Sequence, residues 1–374
     1  MIYLDYSATT QVDDEVLESF NKACHYIGNP NSLHKLGLKT SNLIEASTKQ
    51  ILSLLGKDNS ELIYTSGSSE ANNLAIKGVC LKYQNRGKHI ITTPFEHSSI
   101  YGPINYLLDK GFEVDFVTLD ENGIVDIDDL KKIIRDDTIL VSIGCVNSEI
   151  WIRQPIEKIG KLLQNYPKII FHSDVTQAIG KVKVDLQDVD LASFSAHKFF
   201  GIKGIGGLVK NASLKIEPLI HGGFSTTIFR SGTPCTELIV SQAKALRLAL
   251  LNIDDKINYV EKLNKRLKNS LNKYDKVCIN SNDACIPHIL NISILGVKPE
   301  VMLHALEMDD IYISTQSACS KNSKLSKAVL ALTHSEVRAS SSVRISISYK
   351  TTNEEIEEFL KIFDKHLKKL TNLR

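Results

Sequence analysis

Between about residues 60 and 210 the sequence repeats one pattern: a short apolar run, then a longer stretch with helical spacing. The runs are ELIYT, HIITT, EVDFVTL, TILVSIGCV, KIIFHSD, DLASFS and GIGGLVK. Segments such as SEANNLAIKGVCLKYQ and PIEKIGKLLQNY stand between several of them. Runs without polar alternation belong to strands buried on both faces, and intervening helices are what bury them. The pattern therefore predicts an α/β unit with a mainly parallel sheet. After about residue 235 it changes. SQAKALRLALLNIDDKINYVEKLNKRLKNSLNKY reads as a long helical stretch, and HILNISIL and VRISISY as strands of a smaller α+β unit. At 374 residues and 43% hydrophobic content, the chain can bury more than one core. The expected division is a large domain over residues 14–255 and a small one over residues 1–13 and 256–374.

Other classes are disfavoured by what the sequence lacks. Its 45 Lys and Arg nearly balance 43 Asp and Glu, so no concentrated basic surface for direct nucleic-acid binding is expected. The basic ending DKHLKKLTNLR reads as the solvated face of a last helix. No apolar run approaches the roughly 20 residues that span a bilayer, and the opening MIYLDYSATT lacks the pattern of a signal peptide. Seven cysteines at 24, 80, 145, 235, 278, 285 and 319 are scattered without a C-x-x-C pair. Neither a disulfide framework nor a metal site is expected, and a reduced, cytoplasmic compartment is. GIKGIGGLVK leads into a strand, whereas a dinucleotide fingerprint should open a helix.

Ligands of open α/β sheets bind beyond the C-terminal ends of the strands, so the residues following each run matter most. LIYT is followed by Ser66, Gly67, Ser68 and Ser69 at a helix start. HIITT leads to Glu96 and His97, and LVSIGCV to Asn147, Ser148 and Glu149. IIFHS leads to Asp174, Thr176 and Gln177, and LASF to Ser195, His197 and Lys198. Singly, each has an ordinary explanation as a cap, a core histidine or a solvated lysine. Together they meet the needs of one cofactor. Pyridoxal phosphate requires a lysine amine to take its aldehyde covalently and a carboxylate to keep its ring nitrogen protonated. It also requires an anion cup and a flat group against the ring. Lys198, Asp174, Ser68 with Ser69, and His97 fit those roles, with Ser195 and His197 available to the phosphate.

The segments YLDYSATT, GNPNSLH, TSGSSEANNLAIKG, EHSS, VNSEI, HSDVTQAIGK, SFSAHKFFGIKGIGGL, FRSGT and SAC resemble, in order and over the whole chain, the cysteine desulfurases of the NifS/IscS type. These are class V aminotransferase relatives with the fold-type-I architecture, a seven-stranded sheet in the large domain. The resemblance implies that Lys198 binds pyridoxal 5'-phosphate, Asp174 pairs with the ring nitrogen, Gln177 and Ser148 face the phenolic oxygen, and His97 stacks on the ring. It places Ser68, Ser69, Ser195 and His197 on the phosphate, with Thr233 reaching in from a neighbouring subunit, and so implies a homodimer. Cys319 would be the catalytic thiol, Arg344 the clamp on the substrate carboxylate, and Asn29 a lesser part of the substrate pocket. The implied reaction converts L-cysteine to L-alanine and leaves a persulfide on Cys319 for a sulfur-acceptor protein in iron–sulfur cluster assembly or tRNA thiolation.

Three stretches depart from the family pattern. Ser148 and Trp151 stand in NSEIW where Asn and Gly are usual, GGFSTTIFRSGT lacks the usual Glu and Arg, and TQSAC replaces SGSAC. These changes leave room for another pyridoxal-phosphate reaction, such as selenocysteine lysis or transamination, or for a non-catalytic partner-binding protein. For Arg344, buried in an apolar strand, the reading from residues alone also leaves open a pairing with another carboxylate.

Overall fold

The computed structural model describes residues 1–315 and 325–372. Its strands are β1 (Ile2–Tyr3), β2 (Ser60–Thr65), β3 (His89–Thr92), β4 (Glu113–Phe116), β5 (Thr138–Ser142), β6 (Ile170–Asp174), β7 (Leu191–Ser195), β8 (Gly206–Asn211), β9 (Val277–Ile279), β10 (Ile289–Ile294), β11 (Ile311–Tyr312) and β12 (Ser342–Ser346). The large sheet has the order β2-β8-β7-β6-β5-β3-β4, seven strands as expected. Every pairing is parallel except those of β8, which runs against both β2 and β7. Being antiparallel to the same strand, β2 and β7 point the same way. The C-terminal ends of β2, β3, β5, β6 and β7 therefore lie along one edge.

The helices packed on this sheet are α1 (Asp14–Ala23), α2 (Lys35–Leu54), α3 (Ser68–Tyr83), α4 (Ser98–Leu108), α5 (Ile127–Ile133), α6 (Ile156–Leu163) and α7 (Thr236–Leu250). Successive strand residues alternate between two apolar layers. Ile91, Val141, Phe171 and Val209 enter one layer. Ile90, Leu140, Ile170 and Leu208 enter the other. That alternation requires strands apolar at consecutive positions, which is why the runs show no polar period. The glycines opening β8 serve close packing: a Cβ on Gly206 would lie 2.7 Å from the Cα of Gly67.

The long helical stretch read after residue 235 is two helices. Leu251 is extended and Asn252 is left-handed at φ 51°, which ends α7 and opens α8 (Ile253–Leu271). Asn tolerates that conformation better than most residues. Leu246 of α7 packs in the large core, whereas Val260 and Leu263 of α8 pack in the second. This second core also takes in β9, β10 and β12, which form an antiparallel sheet of order β12-β10-β9. Against it lie α9 (Pro299–Glu307) and α12 (Asn353–Asn372), and the N-terminal β1 joins by pairing with β11. Between the units, α10 (Lys327–Thr333) and α11 (Glu336–Ala339) contribute Val329 and Ala339 to a cluster with Phe95, Ile150 and Ile152. The small unit is thereby packed onto the loops that follow β3 and β5.

Candidate active site

The shared edge of the large sheet opens into a cavity of about 270 Å³. Ser68, Ser69, His97, Ser148, Asp174, Gln177, His197, Lys198 and Arg344 line it together, from five strand ends and one strand of the small unit. A candidate anion cup stands at the start of α3. Gly67 caps this helix with no side-chain acceptor, so its first N–H groups face the cavity without an intrahelical partner. Gly67 lies at φ 155°, and a Cβ there would sit 3.4 Å from the Ser195 Oγ. That is ordinary van der Waals contact, so the positive φ rather than lack of space is what favours glycine here. His197 closes the cup, its Nδ1 3.1 Å from the Thr9 hydroxyl. Burial, with help from the charges of Lys198, Lys203 and Lys181, pushes its imidazole down to about 4, so it is neutral at physiological pH.

The ring-binding candidates line the same cavity. Asp174 ends β6, and its carboxylate accepts from the Thr176 backbone N–H at 2.9 Å and from the Asn72 amide at 2.8 Å. The same Asn72 amide donates to the Ser99 hydroxyl at 2.8 Å, which is itself 2.8 Å from the His97 Nδ1. The Asn72 carbonyl accepts from the Ser193 hydroxyl. One asparagine thereby fixes Asp174 and His97 relative to each other. Burial, opposed by Asp174 and reinforced by Lys198, holds the His97 imidazole below its ordinary value, so it presents a neutral face. Gln177 donates to the Ser7 carbonyl at 3.0 Å, while its own buried Oε1 has no partner among the described residues. An unpaired buried amide atom is costly, and a polar ligand group would relieve it.

Lys198 follows β7 in a single turn of 3-10 helix and donates to the Ser7 and Ala8 carbonyls at 2.6 and 2.8 Å. Arg344 combines two of the expected relationships. It lines the cavity, and its guanidinium also donates to Asp5 and to the Ser148 carbonyl, each at 3.0 Å. The carboxylate partner left open by the sequence is therefore present, while the buried Nε has no partner among the described residues. Thr233 and Asn29 are not brought to this cavity by their own chain. Both are exposed, and the Asn29 Oδ1 accepts from the Asn31 N–H as a local turn. Cys319 lies outside the described residues.

Comparison with known proteins decides the affiliation: the aminotransferase class-V family model matches residues 2–359. The chain belongs to that family. Its full length is 41% identical to the cysteine desulfurase IscS of Buchnera aphidicola, covering 94% of that protein. Among solved structures, a NifS-like protein superposes with a TM-score of 0.92 at 33% identity, over 98% of this chain and 99% of that one. A structure described as SspA in complex with cysteine gives a TM-score of 0.81 at 30% identity, over 94% of this chain and 100% of that one.

For a class-V member, four positions here were given no role from the sequence. Asn72 sits one helical turn after Ser68, so the i, i+4 spacing that brings both to one face of α3 was the available signal. Glu96 lines the cavity beside His97 and accepts from the Thr93 hydroxyl and the Gly144 N–H at 2.8 and 3.0 Å. Burial outweighs those bonds and, with the Asp174 charge, pushes its carboxyl up to about 7. Ser7 and Ala8, which receive Lys198 through their carbonyls, lie within the quoted YLDYSATT but offer no side-chain signal.

Proposed function

We propose that this chain is a pyridoxal-phosphate-dependent cysteine desulfurase, acting as a homodimer in the cytoplasm and passing sulfur to an acceptor protein. The observation that carries the reading is the meeting of Lys198, Asp174, His97 and an uncapped helix start in one cavity. In this reading Lys198 holds the cofactor covalently, and Asp174 pairs with its ring nitrogen. His97 lies against the ring, Gln177 and Ser148 face the phenolic oxygen, and Ser68, Ser69, Ser195 and His197 hold the phosphate. When bound, the cofactor supplies an electron sink at the substrate's α-carbon.

The protein's own groups do the rest. Arg344 orients the substrate carboxylate, a task suited to the two parallel donors of a guanidinium. The neutral imidazole of His97 stands ready to exchange a proton between substrate and cavity. The Cys319 thiolate attacks the substrate sulfur, forming a sulfur–sulfur bond as the carbon–sulfur bond breaks. The electron pair remains with carbon, which takes a proton and leaves as alanine. Cysteine and one thiol thus become alanine and one persulfide, with no outside oxidant. The persulfide then passes to an acceptor for iron–sulfur cluster assembly or tRNA thiolation.

Two surface features support the dimer. Thr233 is exposed on the loop before α7, and Leu33, Ile27, Phe224 and Ile228 are 93, 82, 66 and 63% exposed on that loop and on the one before α2. Side chains of this kind call for a partner surface. The cytoplasmic location is supported by the described cysteines, all free thiols. The test is turnover of L-cysteine with alanine and sulfide both quantified. Equal yields from the parent protein, with Cys319→Ser keeping the cofactor's visible absorbance and losing both products, support the reading. Keto-acid formation in place of alanine would overturn it.

A further inference from the structure

Directly behind Lys198 lies a buried group that the proposed reaction does not use. Lys181 closes the turn that begins at Asp174 and passes through Gln177, and its Nζ donates 2.9 Å to the backbone carbonyl of Lys198. One side chain therefore ties the ring-nitrogen segment to the cofactor-lysine segment. Above the Lys181 ammonium is the face of Trp151, 5.3 Å from nitrogen to ring centroid, within cation–π range. On the indole lies His288, its ring centroid at 6.2 Å and its plane tilted by 30°.

Trp151 is an unusual occupant of this place. Its backbone is left-handed at φ 59°, a conformation that strains a bulky L-residue. Its side chain is fully buried, and its Nε1 has no hydrogen-bond partner among the described residues. The indole is thus held by its faces rather than by its polar edge. The charged and titratable groups acting on this layer are Lys181 itself, Lys198, His197 and His288. Burial pushes the imidazoles of His197 and His288 down to about 4 and about 3, leaving both neutral near pH 7. Burial, reinforced by the Lys198 charge, brings the Lys181 amine down to about 7.

Resting on the function proposed above, we propose that Lys181 is a positioning residue for Lys198 and that the Trp151 ring is the face on which its ammonium rests. Loss of the Lys181 donor frees the Lys198 carbonyl and the turn that carries Asp174. Loss of the indole removes the group that compensates a buried cation. Neither residue touches the cavity; both act through Lys198.

Trp151 is the chain's one tryptophan, so its emission reports the contact without cofactor or substrate chemistry. In the protein as purified, emission followed from about pH 5 to about pH 9 shows one step with its midpoint near 7. Lys181→Met and Lys181→Gln both remove that step. A step that survives in both variants, or a parent emission that neither variant alters at any pH in that range, overturns the contact. The positioning role is read by equilibrium titration with pyridoxal phosphate. Lys181→Met weakens uptake about tenfold, the size of one lost charged hydrogen bond, and an unchanged affinity overturns it. A parent protein that takes up no pyridoxal phosphate overturns the proposed function instead, and the emission step then decides the Lys181–Trp151 contact alone.

Discussion

Two groups of candidate residues behave differently in this fold. Those at strand ends, namely Lys198, Asp174, His97, Ser68 and Ser148, line one cavity within a single chain, whereas the loop residues Thr233 and Asn29 are exposed and line none of it. The first group is placed by backbone that has little freedom: strands in register end at one edge, and side chains there converge by construction. The second group sits on loops whose neighbours in a single chain are few. Strand ends therefore bring their side chains together within one chain, whereas in the proposed dimer the loop residues would be covered by the partner.

That contrast is broken most forcefully at Lys198. Lys198→Ala should eliminate covalently held cofactor and reduce alanine production by about 10⁴-fold or more; substantial turnover would show that the strand-end constellation is not the site. Next comes Asp174→Asn, which removes the charge and places a donor against the Asn72 amide. It should lower kcat/KM by about 10²- to 10³-fold, and near-parental kinetics would detach Asp174 from the ring nitrogen.

The loop half of the contrast is sharpened by mixing subunits. Thr233→Ala alone should weaken pyridoxal-phosphate binding about fivefold. Mixed with the dead Lys198→Ala protein, it should regain parental affinity at one site per hybrid dimer, because the intact Thr233 then faces the intact Lys198. Failure to regain it would place Thr233 in its own chain's site. At the domain junction, Arg344→Lys should raise KM for cysteine about tenfold with a smaller change in kcat, as expected from losing one charge-assisted bond.

The smallest effect concerns pH and stability. Burial raises the Glu96 carboxyl from 4.5 to about 7 in the folded protein. The folded state thus holds a proton that the unfolded chain releases. The resulting stability is fully present below about 4.5 and is lost as pH rises to about 7. Glu96→Gln should flatten that part of a denaturation-against-pH profile, and an unaltered slope would contradict the assignment.

How far the site could be read from the sequence follows the same division. The strand-end residues were legible because the apolar runs mark where each strand stops, and the next residue is then at the ligand edge. Asn72 was only partly so: its i, i+4 spacing from Ser68 puts it on the same face of α3, but nothing in the sequence says that it bridges Asp174 and Ser99. The break at Asn252 was hidden because helical residues continue on both sides of one left-handed position. Asp5 was unreadable as a partner for Arg344, since the two are brought together only when the N-terminal segment joins the small unit. Trp151 was visible as an odd residue, but its contact with Lys181 depends on a backbone turn the sequence does not announce.

The central claim is that the strand-end cavity holds pyridoxal phosphate on one particular lysine. Borohydride reduction of the cofactor-loaded protein, followed by digestion and mass analysis, tests it most directly. The expected result is one reduced pyridoxyl adduct, on the peptide that contains Lys198. An adduct on Lys181 or on a surface lysine, or no adduct at all, would contradict it.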